Sequence, residues 1–185
     1  MPKRKSRILV VDANIMQAAG GTDATDNVSI SCRDFLLEIL EICHRVVKTP
    51  EIKTEWKKHS SGYALKWEVK MWGCKKIIQQ EELEDKQLRE KVSSLNYRER
   101  IIKTMQKDIH LIEAARKNHK IISSLEKESQ KYFSGSAHKV RKLKGVMWVN
   151  PSEDFESVKE WLKAGAKDND IYRLENLPNK IEPPN

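Results

Sequence analysis

Cysteine is scarce: the 185 residues hold three, Cys32, Cys43 and Cys74, and no Cys-x-x-Cys pair. An odd count without that spacing argues against a disulfide framework and a structural zinc site. It makes a reduced, cytoplasmic setting the expectation. Long apolar runs are missing too, and nothing approaches the ~20 residues that a membrane-spanning helix needs. Behind the basic start Met1-Pro2-Lys3-Arg4-Lys5-Ser6-Arg7, the apolar run Ile8 to Val11 stops at Asp12. That is too short for a signal-peptide core. There is no Gly-x-Gly-x-x-Gly, no P-loop and no Gly-x-Ser-x-Gly. Neither a glycine-rich phosphate loop nor a serine-hydrolase elbow is therefore expected. The chain shows no internal repeat and no low-complexity tract.

What is present is charge and periodicity. Lys and Arg number 35 against 27 Asp and Glu, a formal net charge of +8. This favours attraction to polyanions but specifies neither fold nor partner. Hydrophobic residues make up 38%, a low share for a globular protein. They are clustered and periodic, which points to a packed domain rather than disorder. The length fits one domain.

Ile8-Leu9-Val10-Val11 reads as a strand buried on both faces, as in a parallel sheet. Residues 17–30, with Gly20-Gly21, read as a loop, and Ser31 as the cap of a helix carrying Phe35, Leu36, Ile39, Leu40 and Cys43. Val46-Val47 is a short second strand. Thr49-Pro50 starts a helix, a Thr cap followed by Pro at the first helical position. From Ala64 to Gln106 there is no proline and helix-favouring residues dominate. Residues 60–106 are accordingly expected to be a helical insertion. Asp108 is read as opening a further helix, where a carboxylate suits the helix dipole. Lys120 to Ser124 and Val146 to Val149 read as strands, with a short helix between them, Ser134-Gly135-Ser136 as a loop, and a last helix from about Ser152. Strands alternating with helices give an α/β domain with a parallel sheet over residues 7–165. Residues 1–6 form a basic tail, and 166–185 a polar, flexible one.

In parallel sheets of this kind, function gathers at the carboxyl ends of the strands. Asp12 ends the first strand, Asp108 precedes the second long one, and Glu126 lies just past its end. Glu55 sits on the helix capped by Thr49. Each has a plain reading alone: a turn former, a helix start, solvated helix charges. Together they would repel one another unless a cation lay between them. Oxygen ligands select Mg²⁺ or Mn²⁺, a setting for phosphodiester hydrolysis.

The segments carry a resemblance. Ile8-Leu9-Val10-Val11-Asp12-Ala13-Asn14 resembles the opening strand of PIN-domain nucleases. Thr49-Pro50-Glu51-Ile52-Lys53-Thr54-Glu55 is similar to the second acidic segment of that family. Asp108-Ile109-His110-Leu111-Ile112-Glu113-Ala114-Ala115 resembles the third, Ile121-Ile122-Ser123-Ser124-Leu125-Glu126 the fourth, and Val146 to Pro151 the closing strand. The elements run in family order. Glu126 departs from the more usual Asp, and Glu128 is an alternative fourth acid.

The resemblance implies a three-layer, flavodoxin-like α/β/α fold and a divalent-metal endoribonuclease acting on single-stranded RNA. It implies Asp12, Asp108 and Glu126 as metal ligands, Glu55 as a fourth catalytic acid, and Asn14 and Ser124 as positioning hydrogen-bonders. As a setting it implies the toxin of a toxin–antitoxin pair, with an acidic antitoxin-like protein as partner, and a homodimer. A non-catalytic RNA-binding module, a structure-specific DNA nuclease and an interaction scaffold are the competing readings. Lys57 and Lys58 beside Glu55, and Lys139, Arg141 and Lys142 before the last strand, are candidate phosphate contacts. Trp56, Trp67 and Trp72, interleaved with lysines, are either base-stacking platforms or core residues.

Overall fold

The computed structural model describes residues 6–81 and 83–178. Five short strands form one all-parallel sheet: β1 Ile8–Val11, β2 Arg45–Lys48, β3 Ile77–Gln79, β4 Ile121–Ser123 and β5 Met147–Val149. Their order is β3-β2-β1-β4-β5. Leu9, Val10 and Val11 are fully buried because helices cover both faces of the sheet. One helical layer holds α1 Ala13–Ala18, α2 Asn27–Glu41, α3 Pro50–His59, α4 Gly62–Gly73 and α8 Phe155–Lys163. The other holds α5 Lys86–Ser93, α6 Glu99–Arg116 and α7 Lys127–Ser136. The architecture is the expected three-layer α/β/α sandwich.

Local chemistry sets the element boundaries. The Thr49 side chain accepts from the Ile52 amide, and Pro50 occupies the first turn of α3. Asp26 caps α2 by accepting from the Ser29 amide at 2.9 Å. The cap therefore lies five residues before the expected Ser31, and the expected loop at 17–30 is in part helical. Cys43 lies beyond the end of α2, exposed like Cys74, while Cys32 is buried. Ser134, Gly135 and Ser136, expected as a loop, complete α7.

Three further expectations are corrected. Asp108 does not open a helix. The stripe of Ile101, Ile102 and Met105 continues into Leu111, Ile112 and Ala115 as one 18-residue helix, α6, with Asp108 at its middle. The helix-dipole reading of this carboxylate therefore fails, because the effect is confined to the end turns.

Residues 60–106 are not a purely helical insertion, since they supply the edge strand β3, paired with β2. Two adjacent isoleucines are too short a run to signal a strand. Lys75 turns the chain into it with a φ of 55°. The segment that follows is locked to α6 by ion pairs. Arg89 grips the buried Glu113 through two hydrogen bonds of 2.8 and 2.7 Å. Asp85 accepts from Arg116 at 2.6 Å and from Lys142 at 2.7 Å.

The C-terminal stretch is not loose over its described part. Leu174 is fully buried, and its amide donates to the Val146 carbonyl at 2.9 Å. Both Glu175 carboxylate oxygens accept from the Gly145 amide at 3.0 Å. The basic tail, apart from Ser6, and residues 179–185 lie outside the described residues.

The tryptophans divide. Trp56 and Trp67 are core residues packed edge to face with centroids 6.0 Å apart. Their indole N–H groups donate to the carbonyls of Val11 at 2.9 Å and Leu36 at 2.6 Å. Neither is a stacking platform. Trp72 is 40% exposed.

If residues 166–178 belong to the fold, Leu174→Ala lowers unfolding free energy by roughly 2–4 kcal/mol, the range for emptying a buried leucine site. Ile171→Ala, at a side chain 64% exposed, changes it by less than about 0.5 kcal/mol. Urea denaturation of both variants checks this, and equal small effects would show the segment to be dispensable.

Candidate active site

The chain winds outward from β1 through β2 to β3, then crosses to β4 and β5 on the other side. Beyond the carboxyl ends of β1 and β4 the connections part in opposite directions and leave a crevice. Val11 pairs with Ser123 in the sheet register, so Asp12 and Ser124 emerge side by side. A cavity of about 280 Å³ opens there, lined by Asp12, Asn14, Glu55, Asp108 and Glu126, with His59 and Lys107 at its wall. All four acids expected from the sequence thus face one space. Glu128 does not line it; that side chain is exposed and lies 3.4 Å from Arg100.

Three of the four carboxylates accept from a protein donor, and the fourth, Glu55, is held by a charge pair. The Ser124 hydroxyl donates to Asp12 Oδ2 at 2.6 Å. It accepts from Asn14 Nδ2 at 3.1 Å and from the Glu126 amide at 3.0 Å. Asn14 Oδ1 accepts in turn from the Leu125 amide at 3.1 Å. The Ser129 hydroxyl donates to Asp108 Oδ2. Glu126 caps α7 by accepting from the Glu128 amide at 3.3 Å. Glu55 Oε2 lies 3.3 Å from His110 Nε2. That nitrogen makes no well-directed hydrogen bond, so this contact is a charge pair rather than a hydrogen bond.

Electrostatics set Asp12 and Glu55 apart. Burial pushes the Asp12 carboxyl up to about 6; the Ser124 hydrogen bond opposes this, and the fields of Asp108 and Glu55 add to it. Glu55 is held below its ordinary value, chiefly by His110. Burial pushes His110 down, but Glu55 beside it outweighs burial and leaves it raised. His110 Nδ1 faces the Lys107 carbonyl at 3.0 Å. It must carry a hydrogen there, so a second hydrogen toward Glu55 makes an imidazolium.

Among the described residues, no three His, Cys, Asp or Glu side chains converge closely enough to cage one metal ion. Mg²⁺ and Mn²⁺ do not require a cage. They are commonly held by one or two carboxylates, with water and phosphate completing the shell. Asp12 and Asp108 fit that need: they line one cavity, and the field of Asp108, added to the burial that dominates the Asp12 shift, is a charge excess that a cation would relieve.

Sequence reasoning missed His59, Lys107, His110 and Ser129 as parts of this site. The spacing offered a signal, since His59 stands four residues after Glu55 on α3 and Lys107 and His110 flank Asp108. Of the expected phosphate contacts, Lys57 and Lys58 are exposed on α3 beside Glu55. Lys139, Arg141 and Lys142 do not reach this cavity. They line a different one, and Lys142 is tied to Asp85.

Among the described residues no helix is long and apolar enough to cross a membrane. Neither a scan against protein-family models nor a search of curated proteins returns a match to this chain. What fold and site define is a class, an all-parallel three-layer α/β domain with an acidic crevice at its switch point.

The Asp12 shift has a stability consequence with a definite sign. Its folded pKa of about 6 lies above the unfolded value of 3.8. The folded state therefore binds the proton more tightly, and stability falls as pH rises from 3.8 through 6. Asp12→Asn keeps an acceptor for Ser124 and removes the buried charge. In metal-free buffer at pH 7 it is expected to stabilise the fold by roughly 1–3 kcal/mol, with the gain shrinking toward pH 4. Thermal melts of both proteins across that range check this. A pH-independent difference, or a less stable Asn variant at pH 7, would contradict the assignment.

Proposed function

We propose that this chain is a PIN-type, divalent-metal-dependent endoribonuclease that cuts single-stranded RNA. The observation that carries the reading is the convergence of Asp12, Glu55, Asp108 and Glu126. They come from four separate segments in the order the resemblance implied, and they open on one crevice at the carboxyl edge of the sheet. Asp12 and Asp108 would hold Mg²⁺ or Mn²⁺, with Glu126 at the margin. Such an ion, when bound, activates water and neutralises charge on the phosphodiester. The protein's own residues prepare that chemistry. Ser124 and Ser129 fix the two aspartates, Asn14 pins the turn after β4, and the His110 pair keeps Glu55 ionised. Lys57, Lys58 and Lys107 bring positive charge to an otherwise acidic opening, where an RNA backbone must approach.

The toxin setting is part of this proposal. A net charge of +8 suits an acidic, antitoxin-like partner. Leu65, Val69 and Trp72, exposed on α4, and Leu37 of α2, which lines one groove with Val69, suit a protein contact, including a homodimer. One observation favours the non-catalytic RNA-binding module instead: Asp12, Asp108 and Glu126 already accept from internal donors, and among the described residues no three-ligand cage is formed. A DNA nuclease is the third possibility.

The experiment is cleavage of labelled single-stranded RNA and DNA with Mn²⁺, Mg²⁺ or EDTA, wild type beside Asp12→Asn. The expected result is metal-dependent RNA cleavage, at least about 100-fold slower in the variant, a loss typical of removing a key catalytic charge. RNA binding without cleavage in either protein would replace the nuclease with the binding module. Cleavage of DNA in preference to RNA would move the substrate class, and equal cleavage by both proteins would remove the site from Asp12.

A further inference from the structure

A second cavity lies at the opposite edge of the sheet. Its volume is about 770 Å³, within the range of small-molecule sites. It sits where strands begin: Lys120 immediately precedes β4, and Lys144 lies three residues before β5. Arg116 ends α6, eight residues and so about 12 Å along the helix from Asp108. This cavity is therefore separate from the acidic crevice.

Its wall is dominated by cations. Lys91, Arg116, Lys120, Arg141, Lys142 and Lys144 line it, joined by Lys139, against one lining carboxylate among the described residues, Glu90. Asp85, behind them, ion-pairs with Arg116 and Lys142. Lys139 stands over the Tyr97 ring. Among the described residues, no carboxylate lies within 4 Å of the side-chain nitrogens of Lys91, Lys120, Arg141 or Lys144; Asp168 feels Lys120 only at longer range. The C-terminal ends of α5 and α6 point here and supply about half a negative charge each, which does not balance the excess.

The backbone adds a second observation. Lys120 adopts a φ of 59°, a region that lysine rarely occupies. Gly145 has a φ of 77°, and a Cβ there would stand 3.4 Å from Lys120 Nζ. That Cβ would be in ordinary contact, so it is the positive φ that favours glycine at 145, beside Lys120.

We infer that this cavity binds a compact, multiply charged phosphate anion, the oligophosphate tail of a nucleotide or a free inorganic oligophosphate. The cations converge on one concavity instead of tracking a strip, which matches a dense charge. Among the described residues no aromatic ring lines the wall, so the bases of a single strand find no stacking platform there. The residues expected to follow an RNA backbone, Lys139, Arg141 and Lys142, are thereby reassigned. The inference does not depend on the nuclease reading.

Calorimetric titration of the full chain with inorganic tripolyphosphate, in metal-free buffer at about 0.1 M salt, tests it. One equivalent is expected to bind, with orthophosphate at least tenfold weaker. The double variant Arg141→Gln/Lys144→Gln changes two cations that hold no ion pair among the described residues, and it should weaken tripolyphosphate at least tenfold at unchanged melting temperature. Asp12→Asn should leave it unchanged. Adenosine triphosphate competing equally would place the ligand's source among nucleotides, and failing to compete would place it among free oligophosphates. No binding of tripolyphosphate, or binding indifferent to the double variant, overturns the proposal. Displacement by a single-stranded RNA decamer also overturns it, making the cavity a backbone groove.

Discussion

The Ser124 hydroxyl is the small group on which the crevice depends. It stands between the ends of β1 and β4, donates to Asp12, and accepts from Asn14 and from the Glu126 amide. A serine hydroxyl has one hydrogen to give and two lone pairs, and here all three are committed. Ser124 is fully buried. Losing any of these contacts would strand a polar group away from water. The node therefore fixes the Asp12 carboxylate, the turn carrying Glu126, and the spacing of two strands whose connections diverge. Asp12 is stabilised by one strong hydrogen bond and opposed by its burial and its acidic neighbours. That imbalance marks a group held in place by the fold against its own electrostatic preference.

Charge on the molecule is sorted by the direction of the sheet. Carboxylates gather where the parallel strands end, and lysines and arginines where they begin. Helix α6 spans the two regions, with Asp108 at its centre and Arg116 at its last turn. The buried Glu113 between them is neutralised locally by Arg89. Two fields of opposite sign thus occupy opposite ends of one small domain. A net charge of +8 describes neither.

Much of this was legible in the sequence, and the failures have physical causes. β1 could be read from four consecutive apolar residues because a strand covered on both faces needs no alternation. The start of α3 could be read because a Thr cap followed by Pro is a local signal that tertiary contacts rarely override. β3 could not: its pairing with β2 is a non-local contact, and two isoleucines inside a charged stretch resemble one turn of a helix. Asp108 reads as a helix start because the helical stretch that ends at Gln106 carries no signal that it continues unbroken into Arg116. The error left its facing unchanged, since a mid-helix residue can open on the same crevice. Glu126 was placed correctly, and its cap on α7 explains why this acid, not Glu128, reaches the cavity. The packing of Leu174 was hidden because one leucine in a polar stretch carries no period.

The tryptophans show how composition misleads when burial is unknown. Rings interleaved with lysines read equally as a nucleic-acid surface and as an amphipathic helix. The indole nitrogens decide between them. Trp56 and Trp67 each donate to a backbone carbonyl inside the core, and a buried indole needs such a partner. Trp56 bonds to Val11, the residue before Asp12, so this core contact anchors α3 against the end of β1. Glu55, its neighbour in sequence, is thereby delivered to the crevice. The ring contributes to the site by positioning the helix that carries an acid, and the lysines that follow it, Lys57 and Lys58, remain on the open side, where a polyanion can reach them.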